Sequence, residues 1–230
     1  MKIEEHEIRN TKDFLTLENL KAKLSNNDLI LIKAYTDKLL EEKLLSYLTE
    51  DEIIKSKDYK SEIAKINYIA SRAILNLVLK CLLEKEIDDL KVKRDKNNKP
   101  YLENTIGLKF NISHTEGLVL LAFFKREVGV DVEKINYKFE FNDILENCFT
   151  KDEIINIDNN IISFYRHWTA KEAYLKCAGI GLIRNLKEIE IISFENEFIE
   201  INDSGRNTII RLKPLNYDDK YVGAICLEEN

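Results

Sequence analysis

The feature that most constrains the fold of this chain is an internal repeat. The hexapeptide TEDEII at 49–54 returns as TKDEII at 150–155, and LKFNISHTEGLVLLAFF at 108–124 aligns without a gap with LKPLNYDDKYVGAICL at 212–227. The offsets of these landmarks lie between 101 and 104 residues. Agreement between separate landmarks indicates the tandem duplication of one α+β unit.

Each half also carries one long amphipathic helix. Apolar residues recur at helical spacing over 61–83 and 160–179, and this pattern predicts a helix in each range. Each long helix follows a shorter one, for which Thr49 and Thr150 are the predicted N-caps. The two halves therefore share the order of their elements as well as their short motifs.

We predict an α+β fold made of two similar α/β subdomains, residues 1–126 and 127–230. A duplicated unit is expected to pack about a pseudo-twofold axis, as the subunits of a C2 dimer do. The cleft between the two halves is the expected ligand site. Chemistry is expected where the halves differ.

The second half differs from the first by an acidic strand. GVDVE at 129–133 is typical of a strand, and alternate residues of a strand share a face, so Asp131 and Glu133 project together. Neighbouring carboxylates repel each other unless a cation lies between them. Mg²⁺, or Mn²⁺, binds oxygen ligands of this kind. An edge strand with a solvated acidic face is the alternative interpretation.

A third carboxylate comes from the long helix of the second half. Trp168 and Leu175 belong to its apolar stripe, so Glu172 and Lys176 are expected at the border of the packed face. From there Glu172 could complete a metal site, and Lys176 could reach a phosphate oxygen. A solvated helix end stabilised by an i, i+4 ion pair is the alternative.

Two polar stretches offer further groups to an anion. FNISHT at 110–115 lies before the strand 118–124 and contains Ser113 and His114. KRDKNNKPY at 93–101 contributes Arg94, Lys96 and Lys99, in a turn-rich segment that ends at Pro100. Both stretches are interpreted as irregular segments that could face a phosphate. An ordinary turn and a solvated basic loop are the alternatives.

Net charge, hydropathy and cysteine content indicate which classes of partner and which cellular compartment to expect. The formal net charge of −6 argues against nucleic acid. The charged N-terminus has no apolar h-region, and no uninterrupted apolar run approaches the roughly 18–20 residues of a membrane span, so no membrane association is expected. The four cysteines are widely separated, which favours free thiols in the cytoplasm.

Three motifs in this order resemble one family: NISH at 111–114, GVDVE at 129–133 and WTAKEAYLKCAGIGL at 168–182. They are similar to the 4′-phosphopantetheinyl transferases of the long, pseudo-dimeric type, typified by the surfactin-synthetase activator. The part of the chain that matches the family extends from about Lys99 to Leu182, and the N-terminal quarter and the tail match in pattern only. Every fixed position of the family signature is present, namely Gly129, Asp131, Glu133, Trp168, Thr169, Lys171, Glu172, Ala173 and Lys176.

The resemblance implies that coenzyme A binds in the cleft between two α/β subdomains. It implies Mg²⁺ on Asp131, Glu133 and Glu172, with the pyrophosphate of the coenzyme completing the ligand shell.

The resemblance also implies coenzyme contacts in the first half. Ser113 and His114 correspond to contacts with a coenzyme phosphate, and Lys99 with Pro100 corresponds to a turn near the nucleotide. Arg94 is added as a coenzyme contact on the ground of its charge. Asn98 departs from the family, which commonly has glycine there, but asparagine tolerates the left-handed backbone conformation.

The implied reaction transfers 4′-phosphopantetheine from coenzyme A to a serine of an apo acyl or peptidyl carrier protein and releases 3′,5′-ADP. Glu172 is the candidate base for the serine proton, and Lys176 would stabilise or protonate the leaving phosphate. Lys171 either contributes charge nearby or points to solvent. A monomer is expected.

Other functions stay open at this point. A non-catalytic module that binds coenzyme A or a carrier protein would have the same fold, and a metal-dependent nuclease could use similar acidic residues. The pathway served, whether fatty-acid, polyketide or nonribosomal-peptide synthesis, is not indicated.

Overall fold

A computed structural model describes residues 2–20, 28–103, 105, 107–181, 184–195 and 197–228. Contacts within the chain divide it into two compact units. Unit 1 comprises Met1–Asp95 and Pro100–Arg126, and unit 2 comprises Lys96–Lys99 and Glu127–Asn230. Leu182, at which the sequence resemblance ends, lies outside the described residues.

The centre of unit 1 is a mixed sheet. The strands of this unit are Ile3–Ile8 (β1), Leu29–Tyr35 (β2), Val92–Arg94 (β3), Pro100–Leu102 (β4), Lys109–Thr115 (β5) and Leu118–Phe124 (β6). Four of them form one sheet in the order β1-β2-β6-β5, and β3 pairs with β4. Within the sheet β1 runs parallel to β2, while the other neighbours are antiparallel.

One long helix covers this sheet. The described part of unit 1 contains the α-helices Glu41–Leu45 (α1), Glu50–Ser56 (α2) and Glu62–Leu83 (α3). The side chain of Ser61 caps α3 by accepting a hydrogen bond from the backbone N–H of Ala64, which confirms the helix predicted over 61–83. By length and composition alone α3 could cross a membrane, but most of its apolar part is buried in unit 1, as in the core helix of a globular domain.

Unit 2 is built around an antiparallel sheet. Its strands are Val128–Lys134 (β7), Ile189–Phe194 (β8), Ile199–Asp203 (β9), Thr208–Tyr217 (β10) and Tyr221–Leu227 (β11), paired in the order β7-β11-β10-β9-β8. Its α-helices are Asn142–Cys148 (α4), Lys151–Ile157 (α5) and Ile161–Ala178 (α6). Helix α6 packs on β7 and β11. Asn160 caps its start and Gly179, with φ 66°, caps its end, and these bounds confirm the helix predicted over 160–179.

The two units repeat the same pairing at their centres. In unit 1 the order β2-β6-β5 is antiparallel throughout, and in unit 2 the order β7-β11-β10 is antiparallel throughout. Thr49 and Thr150 both form capping boxes at the starts of α2 and α5, which confirms their predicted N-cap role. The predicted α+β class is therefore confirmed. The repeated strand order is observed within each unit separately.

Two local predictions need correction. The stretch 110–115 is not irregular, because its residues form most of strand β5. The segment 96–99 is placed with the first subdomain by the sequence, but it belongs to unit 2. There Asn97 donates a hydrogen bond to the carbonyl oxygen of Gly179 (2.5 Å), which ties the segment to the end of α6.

Candidate active site

The candidate residues of unit 2 lie where α6 crosses β7. A Cβ atom at position 129 would lie 2.1 Å from the carbonyl oxygen of Ala173 and 2.3 Å from the backbone nitrogen of Cys177. Glycine at this position therefore lets the helix approach the strand closely. Because alternate residues of a strand share a face, Asp131 and Glu133 lie on the same face as Gly129, which α6 covers.

Lys176 neutralises Asp131 across this contact. Its Nζ atom donates a hydrogen bond to Oδ1 of Asp131 (2.6 Å) and to the carbonyl oxygen of Val130 (3.3 Å). The side chain of Asp131 is only 6% exposed, whereas that of Lys176 is 29% exposed. A buried carboxylate requires a nearby opposite charge, and Lys176 supplies it. The ammonium group also keeps access to solvent.

Glu172 lies beside this ion pair. Its Oε1 atom is buried and accepts no hydrogen bond from the part of the chain that the structure describes. Burial raises the pKa of Glu172 to about 7, the negative charge of Asp131 adds to the increase, and the ammonium of Lys176 opposes it. Glu172 therefore changes protonation near neutral pH, which is typical of a functional carboxyl group.

The predicted three-carboxylate metal site is not assembled among the described residues, in which no group of three His, Cys, Asp or Glu side chains is placed to hold a metal ion. Asp131 and Glu172 do lie close enough for their charges to interact. A pair of carboxylates with one buried, unpartnered oxygen suits a divalent cation, so these two residues fit such an ion. Glu133 is partly exposed at the end of β7, and the three-ligand site stays a prediction.

Lys171 takes neither of the two roles predicted for it. Its side chain is 1% exposed, and its Nζ atom lies 2.7 Å from Oε2 of Glu153 in α5. Burial lowers the pKa of Lys171, and the charge of Glu153 opposes that change. The sequence carries a signal for this burial, because Lys171 lies seven residues after Phe164 and four before Leu175, on the apolar stripe of α6.

The candidate coenzyme contacts lie in both units. In unit 1 Ser113 is buried and His114 is exposed in β5, and as neighbours in a strand they point to opposite faces. Arg94 is exposed and pairs through its backbone with Pro100. These four contacts stay predictions.

Lys99 belongs to unit 2 and is held there. Its Nζ atom donates to Oε2 of Glu127 (2.7 Å) and to the carbonyl oxygen of Cys177 (3.2 Å). Asn98 has φ 67°, so asparagine adopts the left-handed conformation that glycine would provide. The departure from the family at Asn98 is therefore compatible with the turn before Lys99, whose coenzyme contact stays a prediction.

Sequence reasoning missed a second buried network on α6. The hydroxyl group of Tyr174 donates to Oδ2 of Asp203 (2.5 Å), and both terminal nitrogens of Arg184 donate to the same carboxylate. Asp203 is fully buried at the end of β9. The three residues are far apart in sequence and form no local motif, so no pattern could have predicted their contact.

Comparison with known proteins confirms the family resemblance. A model of the 4′-phosphopantetheinyl transferase superfamily matches residues 127–226, and a model of the N-terminal part of 4′-phosphopantetheinyl transferases matches residues 42–125. The two matches are adjacent and together cover most of the chain.

Individual relatives align over most of their length. The 4′-phosphopantetheinyl transferase HetI of Nostoc sp. is 28% identical over 193 residues, which are 80% of each chain. The phosphopantetheinyl transferase of Thraustochytrium sp. is 26% identical over 80% of this chain and 71% of its own. The 4′-phosphopantetheinyl transferase Sfp of Bacillus subtilis is 22% identical over 80% of this chain and 84% of its own. The chain therefore belongs to the 4′-phosphopantetheinyl transferases of the long type and is an enzyme.

Proposed function

We propose that this enzyme transfers 4′-phosphopantetheine from coenzyme A to a serine hydroxyl of an apo acyl or peptidyl carrier protein, with Mg²⁺ as cofactor. The serine oxygen forms a bond to the phosphorus atom that carries the pantetheine. The bond from that phosphorus to the bridging oxygen of the pyrophosphate breaks, and 3′,5′-ADP leaves. The serine proton is transferred to a base on the enzyme.

The observation that carries this proposal is the environment of Glu172. A base works best when its pKa is close to the working pH, and burial beside Asp131 brings the pKa of Glu172 to about 7. Its Oε1 atom is buried and accepts no hydrogen bond from the described residues, so no donor in the described part of the protein holds this oxygen in its ionised form. We assign Glu172 as the base that accepts the serine proton.

Lys176 is the second catalytic group of the proposal. Its ammonium group is held by Asp131 but remains partly exposed, so it can also approach an oxygen of the leaving phosphate. Phosphoryl transfer depends on positioning and on neutralising charge at the oxygens around phosphorus. Lys176 would supply that charge and orient the leaving group.

Asp131, Glu133 and Glu172 would hold the magnesium ion, and Mn²⁺ could replace it. When bound, the ion neutralises charge on the pyrophosphate and polarises the phosphorus. The support from the structure is the close pair of Asp131 and Glu172 and the buried oxygen of Glu172.

Family membership favours transfer chemistry over the two other functions that the residues left open. The relatives are named as transferases, which counts against a metal-dependent nuclease and against a non-catalytic binding module. The acidic net charge of −6 also counts against a nuclease.

The remaining predictions belong to the same proposal. The repeated strand order of the two units supports a tandem duplication, while the pseudo-twofold axis and the ligand cleft rest on the sequence repeat alone. Free cysteines at 81, 148, 177 and 226 support a reducing compartment such as the cytoplasm. A monomeric state and the absence of nucleic-acid and membrane partners stay predictions.

The test is intact-mass spectrometry of several apo carrier proteins incubated with coenzyme A, Mg²⁺ and the enzyme. We expect the mass of phosphopantetheine on at least one carrier and none after addition of EDTA. Glu172→Gln should fold and lose transfer. A wild-type enzyme that modifies no carrier would contradict the proposal, and full activity of Glu172→Gln would contradict the role of this residue as the base.

A further inference from the structure

The ammonium group of Lys171 is enclosed in the interior of unit 2. It donates hydrogen bonds to Oε2 of Glu153 (2.7 Å), to the carbonyl oxygen of Cys148 (3.0 Å) and to that of Leu186 (3.1 Å). It also lies 4.6 Å from the centre of the Phe149 ring. An ammonium group has three N–H donors. All three are therefore used within the protein, and with 1% exposure of its side chain Lys171 cannot touch a substrate.

Glu153 connects this lysine to the elements around it. Its Oε2 atom also accepts a hydrogen bond from the backbone N–H of Thr150 (2.8 Å) at the start of α5. Its Oε1 atom accepts one from the backbone N–H of Ile191 (2.9 Å) in strand β8. The ion pair of Lys171 and Glu153 thus joins α6 to the end of α4, the start of α5 and β8.

We infer that Lys171 is a positioning residue for the transfer reaction, which fixes α6 so that the carboxyl group of Glu172 faces Asp131. The inference rests on the proposed role of Glu172. Successive residues of a helix point about 100° apart, so Lys171 and Glu172 face different neighbours on one rigid element. Because the ion pair holds one side of α6, it also fixes the side that faces β7.

The geometry at β7 makes this position critical. A Cβ atom at position 129 would overlap the backbone of α6, so the backbone of the helix is in direct van der Waals contact with the strand. A small rotation of α6 would move Glu172 and Lys176 together relative to Asp131. Misplacement of a catalytic group by about 1 Å can lower the rate about 10²-fold.

Two substitutions test the inference. Lys171→Met keeps the apolar stem and removes the three donors, and Glu153→Gln keeps the shape of the side chain and removes its charge. We expect Lys171→Met to lower kcat per folded molecule about 10²-fold. The KM for coenzyme A should stay within about twofold, because no substrate contact is removed. Glu153→Gln should lower kcat in the same way but less.

A spectroscopic measurement reports the position of α6 directly. Trp168 is the one tryptophan of the chain and lies one turn before Glu172 in α6. In the folded Lys171→Met protein we expect its fluorescence emission to shift, because the packing around α6 changes. A variant that only lowers the free energy of unfolding would keep the wild-type emission while folded.

Tyr174→Phe is the matched control. It also removes a buried polar contact of α6, the hydrogen bond to Asp203, but this contact is made with strand β9 and not with α5. We expect it to lower stability and to keep the wild-type kcat and Trp168 emission. An equal loss of kcat in Tyr174→Phe would overturn the inference, because the effect would then follow from destabilisation alone.

The other outcomes are equally decisive. Wild-type kcat and emission in folded Lys171→Met overturn the inference. Wild-type kcat in Glu153→Gln, together with an inactive Lys171→Met, shows that Lys171 does not act through its ion pair and also overturns it. If Lys171→Met does not fold, Glu153→Gln carries the test. A wild-type protein that transfers nothing counts against the proposed function, whereas the Trp168 comparison still tests the position of α6.

Discussion

The carboxyl group of Glu172 links the catalytic proposal to the stability of the protein. Its pKa is about 7 in the folded protein, compared with an ordinary value of 4.5, because it is buried and lies beside Asp131. A raised pKa means that the folded protein binds the proton more tightly than the unfolded chain. The contribution of this tighter proton binding to the free energy of unfolding is fully present below pH 4.5 and is lost as the pH rises through 7.

Replacing this residue should therefore stabilise the metal-free protein at high pH. We expect Glu172→Gln to exceed the wild type by about 1–2 kcal/mol in the free energy of unfolding at pH 8, and to differ little at pH 5. Urea denaturation in EDTA at the two pH values measures this. The exposed residue Glu146 in α4 provides the control, because Glu146→Gln should keep the wild-type pH dependence. Parallel pH curves for the wild type and Glu172→Gln would contradict the prediction.

The closeness of Asp131 and Glu172 could be predicted from the sequence, whereas the environment of Lys171 could not. Strand alternation places Asp131 on one face, and the helical period places Glu172 at the border of an apolar stripe. A lysine on an apolar stripe can still extend its long stem to solvent. Whether it does so depends on Glu153, which belongs to another helix.

At the scale of elements, the contact of α6 with β7 depends on a single glycine. We expect Gly129→Ala to lower the free energy of unfolding by about 1–3 kcal/mol, or more, and to lower transfer activity, since the added methyl group would displace α6. Urea denaturation and the carrier-modification assay measure both effects.

Gly179→Ala is a suitable comparison, because its cost has a different origin. Gly179 has φ 66°, and the nearest atom to an added Cβ, Cδ of Lys99, lies 3.9 Å away. The left-handed conformation should cost about 1 kcal/mol without displacing the helix. A smaller loss of stability in Gly129→Ala than in Gly179→Ala would show that α6 can move away from β7 at little cost.

The two capping boxes allow a comparison between the halves of the chain. Loss of a threonine N-cap costs about 1 kcal/mol. Thr150 additionally donates a hydrogen bond from Oγ1 to Oε1 of Glu190 (2.8 Å). We therefore expect Thr150→Ala to lower the free energy of unfolding more than Thr49→Ala does. Equal losses in urea denaturation would mean that the contact with Glu190 contributes nothing.

The long helices followed from periodicity, and the threonine caps of the short helices followed from residue type, but strand β5 was not predicted. In β5 the polar residues Asn111 and Ser113 are buried, while the neighbouring Ile112 and His114 are more accessible. This alternation is opposite to the apolar-inward pattern on which strand prediction depends. The polar stretch therefore resembled a turn.

At the scale of the whole molecule, the repeat indicated two units but could not assign the segment 96–99. Repeats and periodicity describe residues that are close in sequence. The assignment of this segment depends on contacts across roughly eighty residues, from Asn97 to Gly179 and from Lys99 to Cys177. A protein that is divided only at the repeat boundary would leave Glu127 without the ammonium group of Lys99.

Removing that ammonium group should therefore weaken unit 2 and leave unit 1 unchanged. Lys99 and Glu127 are only 14% and 32% exposed, so their ion pair is partly desolvated. We expect Lys99→Met to lower the local stability of the last turn of α6 by about 1 kcal/mol, because the carbonyl oxygen of Cys177 and the carboxylate of Glu127 both lose a donor. Amide hydrogen exchange there should become about fivefold faster, while exchange in α3 stays at the wild-type rate.

Lys93→Met, which removes the exposed ion pair with Glu103 in unit 1, is the control and should change the exchange rate of neither helix. Faster exchange in α3 than in α6 of Lys99→Met would show that this segment stabilises the first unit instead.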